Sequence, residues 1–186
     1  MIEIEKKYRL TKRQRDSVLR RLPELGAKLQ GEDFEENTLY GGPGLDSGNS
    51  VLRLRRTSGQ ALLTYKKRFP DAREIKRQRE DETRVDDPDA VNAILDGLGY
   101  CPALVYEKRR QSWTLGPTEV AIDDLPFGLF MEIEGEERDI MSAERKIGLK
   151  GLRAEYSTYP QLTQKHGKRK GKLIEARFGR GSGTGK

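Results

Sequence analysis

Ile2-Glu3-Ile4-Glu5-Lys6-Lys7 opens the chain with apolar and charged residues in alternation. A period of two predicts a β-strand over residues 1–9. It puts Ile2 and Ile4 on one face and Glu3, Glu5 and Lys7 on the other. The same arrangement recurs along the sequence. Arg53 and Arg55 share a face, with Leu52 and Leu54 opposite; Thr64, Lys66 and Arg68 share another, with Leu63 and Tyr65 opposite. Glu80 pairs with Glu82, Lys108 with Arg110, and Glu132 with Glu134, the last backed by Met131 and Ile133.

Side chains at i and i+2 on one strand face lie about 7 Å apart, so paired carboxylates repel unless a base or a cation stands between them. Each doublet alone reads as a solvated strand face, where cross-strand ion pairs contribute only about a few tenths of a kcal/mol. All of them together would demand an outer surface made almost wholly of like-charge pairs. A barrel lined with charge, its apolar faces turned outward beneath helices, uses every doublet at once.

The intervening sequence supplies the other elements. Thr11 is placed to cap a helix from Lys12 to Leu22, stopped by Pro23. A short strand at Asn37–Tyr40 leads into the turn Gly41-Gly42-Pro43-Gly44, and Ser58-Gly59 joins strands Val51–Arg56 and Ala61–Arg68. A strand at Gln78–Val85 precedes a helix opened by Asp87-Pro88, with Val91, Ile94, Leu95 and Leu98 on one side and Gly99 at its end. Strands follow near Ala103–Trp113, Thr118–Ile122 and Phe130–Glu134, then a helix capped by Ser142 and another over Tyr159–Gln164. The fold class is α+β, mainly β: an antiparallel barrel or a strongly curved sheet.

The chain has 186 residues, one cysteine and a net charge of +6. One domain over residues 1–164, with a basic, glycine-rich flexible tail over 165–186, accounts for the length. Residues 1–164 carry nearly equal numbers of acids and bases, so the positive excess belongs to the tail. A folded domain that binds nucleic acid by general electrostatics carries its excess on the body, so that partner is not expected here. Without a secretory signal, a spanning apolar run or a second cysteine, the expected setting is a reducing cytoplasm, with no membrane partner. His166 and Cys101 support no triad or zinc site, and Trp113 reads as core or rim. Gly183-Thr184-Gly185-Lys186 lacks the first glycine and the following helix of a phosphate-binding loop.

Guanidinium and ammonium groups grip phosphate oxygens, while carboxylates hold Mg²⁺ or Mn²⁺, which bridges to phosphate. A lumen with both kinds of group suits a metal–polyphosphate complex better than a bare anion or a bare metal.

The ordered motifs resemble the CYTH superfamily, also called triphosphate tunnel metalloenzymes. They are Glu3-Ile4-Glu5-Lys6-Lys7, Leu52-Arg53-Leu54-Arg55, Leu63-Thr64-Tyr65-Lys66, Glu80-Asp81-Glu82, Lys108-Arg109-Arg110, Val120-Ala121-Ile122-Asp123 and Phe130-Met131-Glu132-Ile133-Glu134. The resemblance covers about residues 1–160. It implies a closed tunnel of eight antiparallel strands with Mg²⁺ or Mn²⁺ held by Glu3, Glu5, Glu132 and Glu134. It further implies that Lys7, Arg53, Arg55, Lys66, Lys108 and Arg110 hold the phosphates. Glu80, Glu82 and Asp123 are implied as further catalytic groups that orient water or metal. Arg77 and Arg79 fall on the wrong face relative to Glu80, so a bulge, or a role for Lys76 or Gln78, is required there. The implied activity is hydrolysis of a small triphosphate (inorganic, thiamine or nucleoside), in a monomer or homodimer. A class IV adenylyl cyclase and a non-catalytic polyphosphate binder are the alternatives.

Overall fold

The computed structural model describes residues 2–46, 49–69, 76–148, 152 and 154–179, without the side chains of Ile2, Glu3, Lys76 and Arg77. Among these described residues, ten strands and four helices follow one another as β1 (Ile2–Leu10), α1 (Lys12–Glu24), β2 (Lys28–Gly41), β3 (Ser50–Arg56), β4 (Ala61–Arg68), β5 (Lys76–Val85) and α2 (Pro88–Gly97). The chain continues through β6 (Cys101–Leu115), β7 (Thr118–Leu125), β8 (Gly128–Glu134), α3 (Glu137–Ile147), α4 (Tyr159–His166), β9 (Lys168–Lys170) and β10 (Leu173–Ala176).

The strands form one sheet in the order β2-β3-β4-β5-β1-β8-β7-β6-β10-β9, and β2 additionally pairs with β6 from Lys28↔Thr114 to Gly41↔Cys101. All pairings are antiparallel except β10 with β6. The fold is thus mainly β, with ten strands among the described residues where eight were expected.

The period of two is realised with the apolar faces outward. Tyr8, Leu10, Val120, Ile122, Met131 and Ile133 pack under Val18 and Leu22 of α1 and Ile140, Ala143 and Ile147 of α3. Leu54 and Tyr40 pack with Leu95 of α2. Burying such side chains fully is worth about 1.5–3 kcal/mol each, which fixes the register: a one-residue slip would turn each strand's apolar set onto the charged face. The third apolar cluster lies elsewhere. Leu39, Tyr106, Leu125 and Phe130 meet Tyr159 and Leu162 of α4, so the sheet face that bears the charged residues also carries an apolar patch against α4.

Several local expectations are corrected. β2 spans 14 residues, not the four at Asn37–Tyr40. Pro23 sits inside the last turn of α1 instead of stopping it at Leu22, where its missing N–H and its ring disturb few remaining bonds. Ser142 lies within α3, which starts five residues earlier behind Glu136. Asp87 does cap α2, accepting from the backbone N–H of Asp89 and Ala90. The tail expected from residue 165 is in large part structured: α4 runs to His166, and Lys168–Lys170 and Leu173–Ala176 join the sheet through β6. Arg177, next to this hairpin, pairs with Glu175 within it and ties it to Glu36 and Glu107. The glycine-rich end at 180–186 lies outside the described residues. No helix among the described residues is long and apolar enough to cross a membrane.

Candidate functional site

Alternation on five strands delivers the charged residues to one place. Glu5, Lys7, Arg53, Arg55, Lys66, Lys108, Arg110, Glu132 and Glu134 line a single cavity of about 110 Å³, closed on one side by Thr158, Tyr159 and Pro160. Nine of the thirteen expected site residues therefore converge. Gln78 also lines the cavity, and its register partner is Arg68 on β4. Arg79 points the other way and pairs with Asp81. Strand parity is thus kept without a bulge in the β4–β5 pairing.

The cations are held by carboxylates in two groups. Arg110 donates Nε–H to Asp123 Oδ1 at 2.7 Å and Nη2–H to Asp123 Oδ2 at 2.6 Å and Glu132 Oε2 at 2.5 Å. Lys108 Nζ lies 3.1 Å from Glu35 Oε2 and 3.6 Å from Asp123 Oδ1. Lys7 Nζ sits 3.4 Å from Glu132 Oε1 and donates to the Ser157 carbonyl at 3.1 Å. On the other wall, Lys66 Nζ is 2.7 Å from Glu80 Oε2. Arg53 donates to Thr64 Oγ1 at 3.3 Å and lies 4.0 and 3.9 Å from Glu80 and Glu82, while Thr64 donates to Glu82 at 2.8 Å.

Burial and neighbouring charge set the ionisation of these groups. Burial would raise the Glu35 carboxyl, but Lys108, Arg55 and Arg110 outweigh it and hold the group well below the usual carboxylate range. Burial, reinforced by Arg110, lowers Lys108 to about 8. Burial opposes the charge on Arg110 too, yet Asp123 and Glu132 more than offset it and keep it firmly protonated. Arg55 is lowered by burial and by Arg53. The Nε–H groups of Arg53 and Arg55 are buried and make no hydrogen bond. Buried guanidinium donors of that kind are costly unless an acceptor reaches them, and a phosphate oxygen is the acceptor they match best.

The expected metal ligands are brought together only partly. Glu5 is the register partner of Glu134 across β1 and β8, and Lys7 is that of Glu132. Glu132 is already bridged between Lys7 and Arg110. The side chain of Glu3 is outside the described residues. Among the described residues no three of His, Cys, Asp and Glu converge as a metal cage. Mg²⁺ is commonly held by one or two carboxylates together with substrate phosphates, not by a cage of protein ligands, so the facing Glu5 and Glu134 fit it.

Two of the expected catalytic carboxylates differ sharply in setting. Asp123 is wholly buried, with both oxygens engaged by Arg110 and with Tyr159 O–H donating to Oδ2 at 2.7 Å. Both of its oxygens are thus engaged as acceptors, of Arg110 and of Tyr159. Glu82 is exposed at the rim, and Glu80 lies between it and the cavity. Two residues escaped the sequence reading. Glu35 is buried among Lys108, Arg55 and Asn37, and Tyr159 reaches in from α4. On β2 both faces mix polar and apolar residues (Glu35, Asn37 and Leu39 against Phe34, Glu36, Thr38 and Tyr40), so no amphipathic period marks Glu35.

A sequence model of the family described as CYTH domain matches residues 1–151. A Methanocaldococcus jannaschii protein, whose name assigns it provisionally to the adenylate cyclases, is 28% identical over 151 residues, covering 79% of this chain and 84% of that protein. A Pyrococcus horikoshii protein of solved structure superposes with a TM-score of 0.74 at 28% identity, over 84% of this chain and 96% of the other. A Hippeastrum protein, named provisionally as an adenylyl cyclase and described as having a dominant triphosphatase activity, shares the fold. Its TM-score is 0.66 at 18% identity, over 84% of this chain and 91% of the other. With the motif series, the lumen geometry and a matching sequence model covering most of its length, the chain belongs to the CYTH domain family.

Proposed function

We propose that the protein hydrolyses a small triphosphate, with a divalent metal, inside a tunnel formed by β1 to β8. Pairing of β2 with both β3 and β6 supports closure of those eight strands into a ring, from which β10 and β9 branch. The observation that carries the functional reading is the single cavity lined by Lys7, Arg53, Arg55, Lys66, Lys108 and Arg110. The Nε–H groups of Arg53 and Arg55 are buried there without a hydrogen bond, although Arg55 Nε lies 3.5 Å from the Glu35 carboxylate.

In this reading the six cations bind and straighten the phosphate chain, and their charge opposes the negative charge that builds up as the terminal phosphoryl group leaves. Glu5 and Glu134 would hold Mg²⁺ or Mn²⁺, which supplies further neutralisation of the phosphate oxygens. Glu80 and Glu82, on the more exposed wall, hold and orient the attacking water. As Lys66 and Arg53 turn toward phosphate, their hold on these two carboxylates loosens and a proton acceptor is freed. Asp123 and Glu35 keep Arg110, Lys108 and Arg55 in place.

A second reading, an adenylyl cyclase that makes cyclic AMP and pyrophosphate from ATP, is favoured by the name of the M. jannaschii relative. A neighbouring cavity also supports it, since it shares Lys66, Gln78 and Thr158 with the first and adds Asn49, Gln161 and Gln164, amides able to bond a base or sugar. A phosphate- and pyrophosphate-release panel with tripolyphosphate, thiamine triphosphate and ATP, each with Mg²⁺ and with Mn²⁺, decides. Phosphate release without cyclic AMP is the expected result; pyrophosphate with cyclic AMP moves the conclusion to the cyclase. Tight binding with no turnover under any condition, unchanged in Glu5→Gln, makes the protein a binder only.

A further inference from the structure

Three of the cavity's cations share one support that comes from beyond the family match, on α4. The ring centroid of Tyr159 lies 4.1 Å from Lys7 Nζ and 5.6 Å from Lys108 Nζ. Its hydroxyl donates to Asp123 Oδ2, the oxygen that also accepts from Arg110 Nη2. The ring is itself gripped, edge-on to Phe130 at 5.4 Å and tilted against Tyr106 at 6.1 Å. The first turn of α4 is fixed by a capping box between Thr158 and Gln161 and by Pro160. Lys7 reaches past the ring to the Ser157 carbonyl.

A carboxylate rotates through a broad, shallow well about its terminal torsion, so one bidentate partner alone leaves Asp123 some freedom. A second donor on Oδ2 removes it, and Arg110 then has one orientation. An ammonium over an aromatic face is held there by the ring without a hydrogen bond to it. We propose that Tyr159 is a positioning residue of the anion site: its ring seats the Lys7 and Lys108 ammonium groups, and its hydroxyl sets Asp123 and through it Arg110. The consequence for ligand binding rests on reading the lumen as an oligophosphate site; the positioning itself does not.

The experiment uses the full chain with Tyr159→Phe, which keeps the ring, and Tyr159→Leu, which removes it. In ligand-free protein, Arg110 Nε–H, assigned with Arg110→Lys, is expected to give a slowly exchanging proton resonance in the parent, because it is donated to buried Asp123. It is expected to broaden or vanish in Tyr159→Phe. Calorimetry with metal-free tripolyphosphate is expected to show about 10-fold weaker binding for Tyr159→Phe, the scale of losing a hydrogen bond to a charged group. A further several-fold loss is expected for Tyr159→Leu, from the cation–π contacts. In an Asp123→Asn background the Phe substitution is expected to cost almost nothing more, because the hydroxyl acts through Asp123. If Asp123→Asn does not fold, Arg110→Lys replaces it in the cycle. A purely structural Tyr159 would lower the melting temperature while leaving the resonance and the affinity of the folded protein unchanged, and that result overturns the proposal. A parent that binds no tripolyphosphate, yet loses the Arg110 resonance in Tyr159→Phe, sinks the reading of the ligand and leaves the positioning role standing.

Discussion

Two regions of the sheet's charged face carry the same chemistry at different depths. On the β2–β6–β7 wall, Glu35, Lys108 and Asp123 are 3%, 2% and 0% exposed. On the β3–β4–β5 wall, the side chains of Lys66, Glu80 and Glu82 retain 17%, 20% and 35% of their accessible surface. Depth separates what the pairs can do. A buried charge that loses its partner cannot recruit water, so the deep carboxylates are obligatory counter-ions that fix Arg110, Lys108 and Arg55. A partly exposed pair is more screened, so the pairs that Glu80 and Glu82 make are cheaper to exchange. The deep wall is scaffold, and the shallow wall is where exchange is cheap.

The largest expected contrast is in stability. Asp123→Ala leaves Arg110 and Lys108 buried without their shared carboxylate and is expected to lose about 3–5 kcal/mol in urea unfolding. Glu82→Gln is expected to change stability by less than about 1 kcal/mol. Equal losses for the two would erase the distinction between the walls.

Changing pH sharpens it from both sides. Lys108 releases its proton near pH 8 in the folded protein, against 10.5 as its ordinary value. Between those values the unfolded chain binds more protons, so stability is expected to rise with pH, by at most about 1.4 kcal/mol per pH unit for one group. Tripolyphosphate affinity should fall over the same interval as the cation is lost, and Lys108→Met should flatten both trends. Glu35 runs the other way. Its folded carboxyl is held below its ordinary value of 4.5, so its contribution is complete above that value and disappears as pH falls toward the folded one. Glu35→Gln should shallow the acid limb of a stability-against-pH curve, and Glu82→Gln should not.

The smallest effect is expected away from the lumen. Arg177→Ala cuts the exposed bridges to Glu36, Glu107 and Glu175. It should cost about 1 kcal/mol or less and leave tripolyphosphate affinity unchanged, as measured by melting and calorimetry together. A loss of affinity there would tie the β9–β10 hairpin to the lumen.

The fold was legible where one strand face is wholly apolar and the other wholly charged. Ile4 against Glu5 and Lys7, Leu54 against Arg53 and Arg55, and Ile133 against Glu132 and Glu134 show it directly. β2 was read at less than a third of its length because both its faces mix residue types, and Glu35 was lost with it. The hairpin at Lys168–Ala176 was hidden by a composition that reads as tail: three consecutive basic residues and flanking glycines. Its strand state comes from parallel pairing with Leu104–Tyr106, a partner that no local signal announces.

By itself, then, the sequence determined which side chains share a face, because the two-residue repeat of a strand is a local property of the backbone. It thereby determined that six cations and several carboxylates would meet inside the sheet. Only the tertiary structure decided how deep each would lie, that Glu35 and Asp123 serve as counter-ions, and that Tyr159 would reach Lys7, Lys108 and Asp123 from α4. Depth and partner choice depend on residues brought together from distant parts of the chain. The cost of leaving a charge unpaired depends on that depth, so the division of labour within the lumen becomes readable only once the strands and α4 are in place.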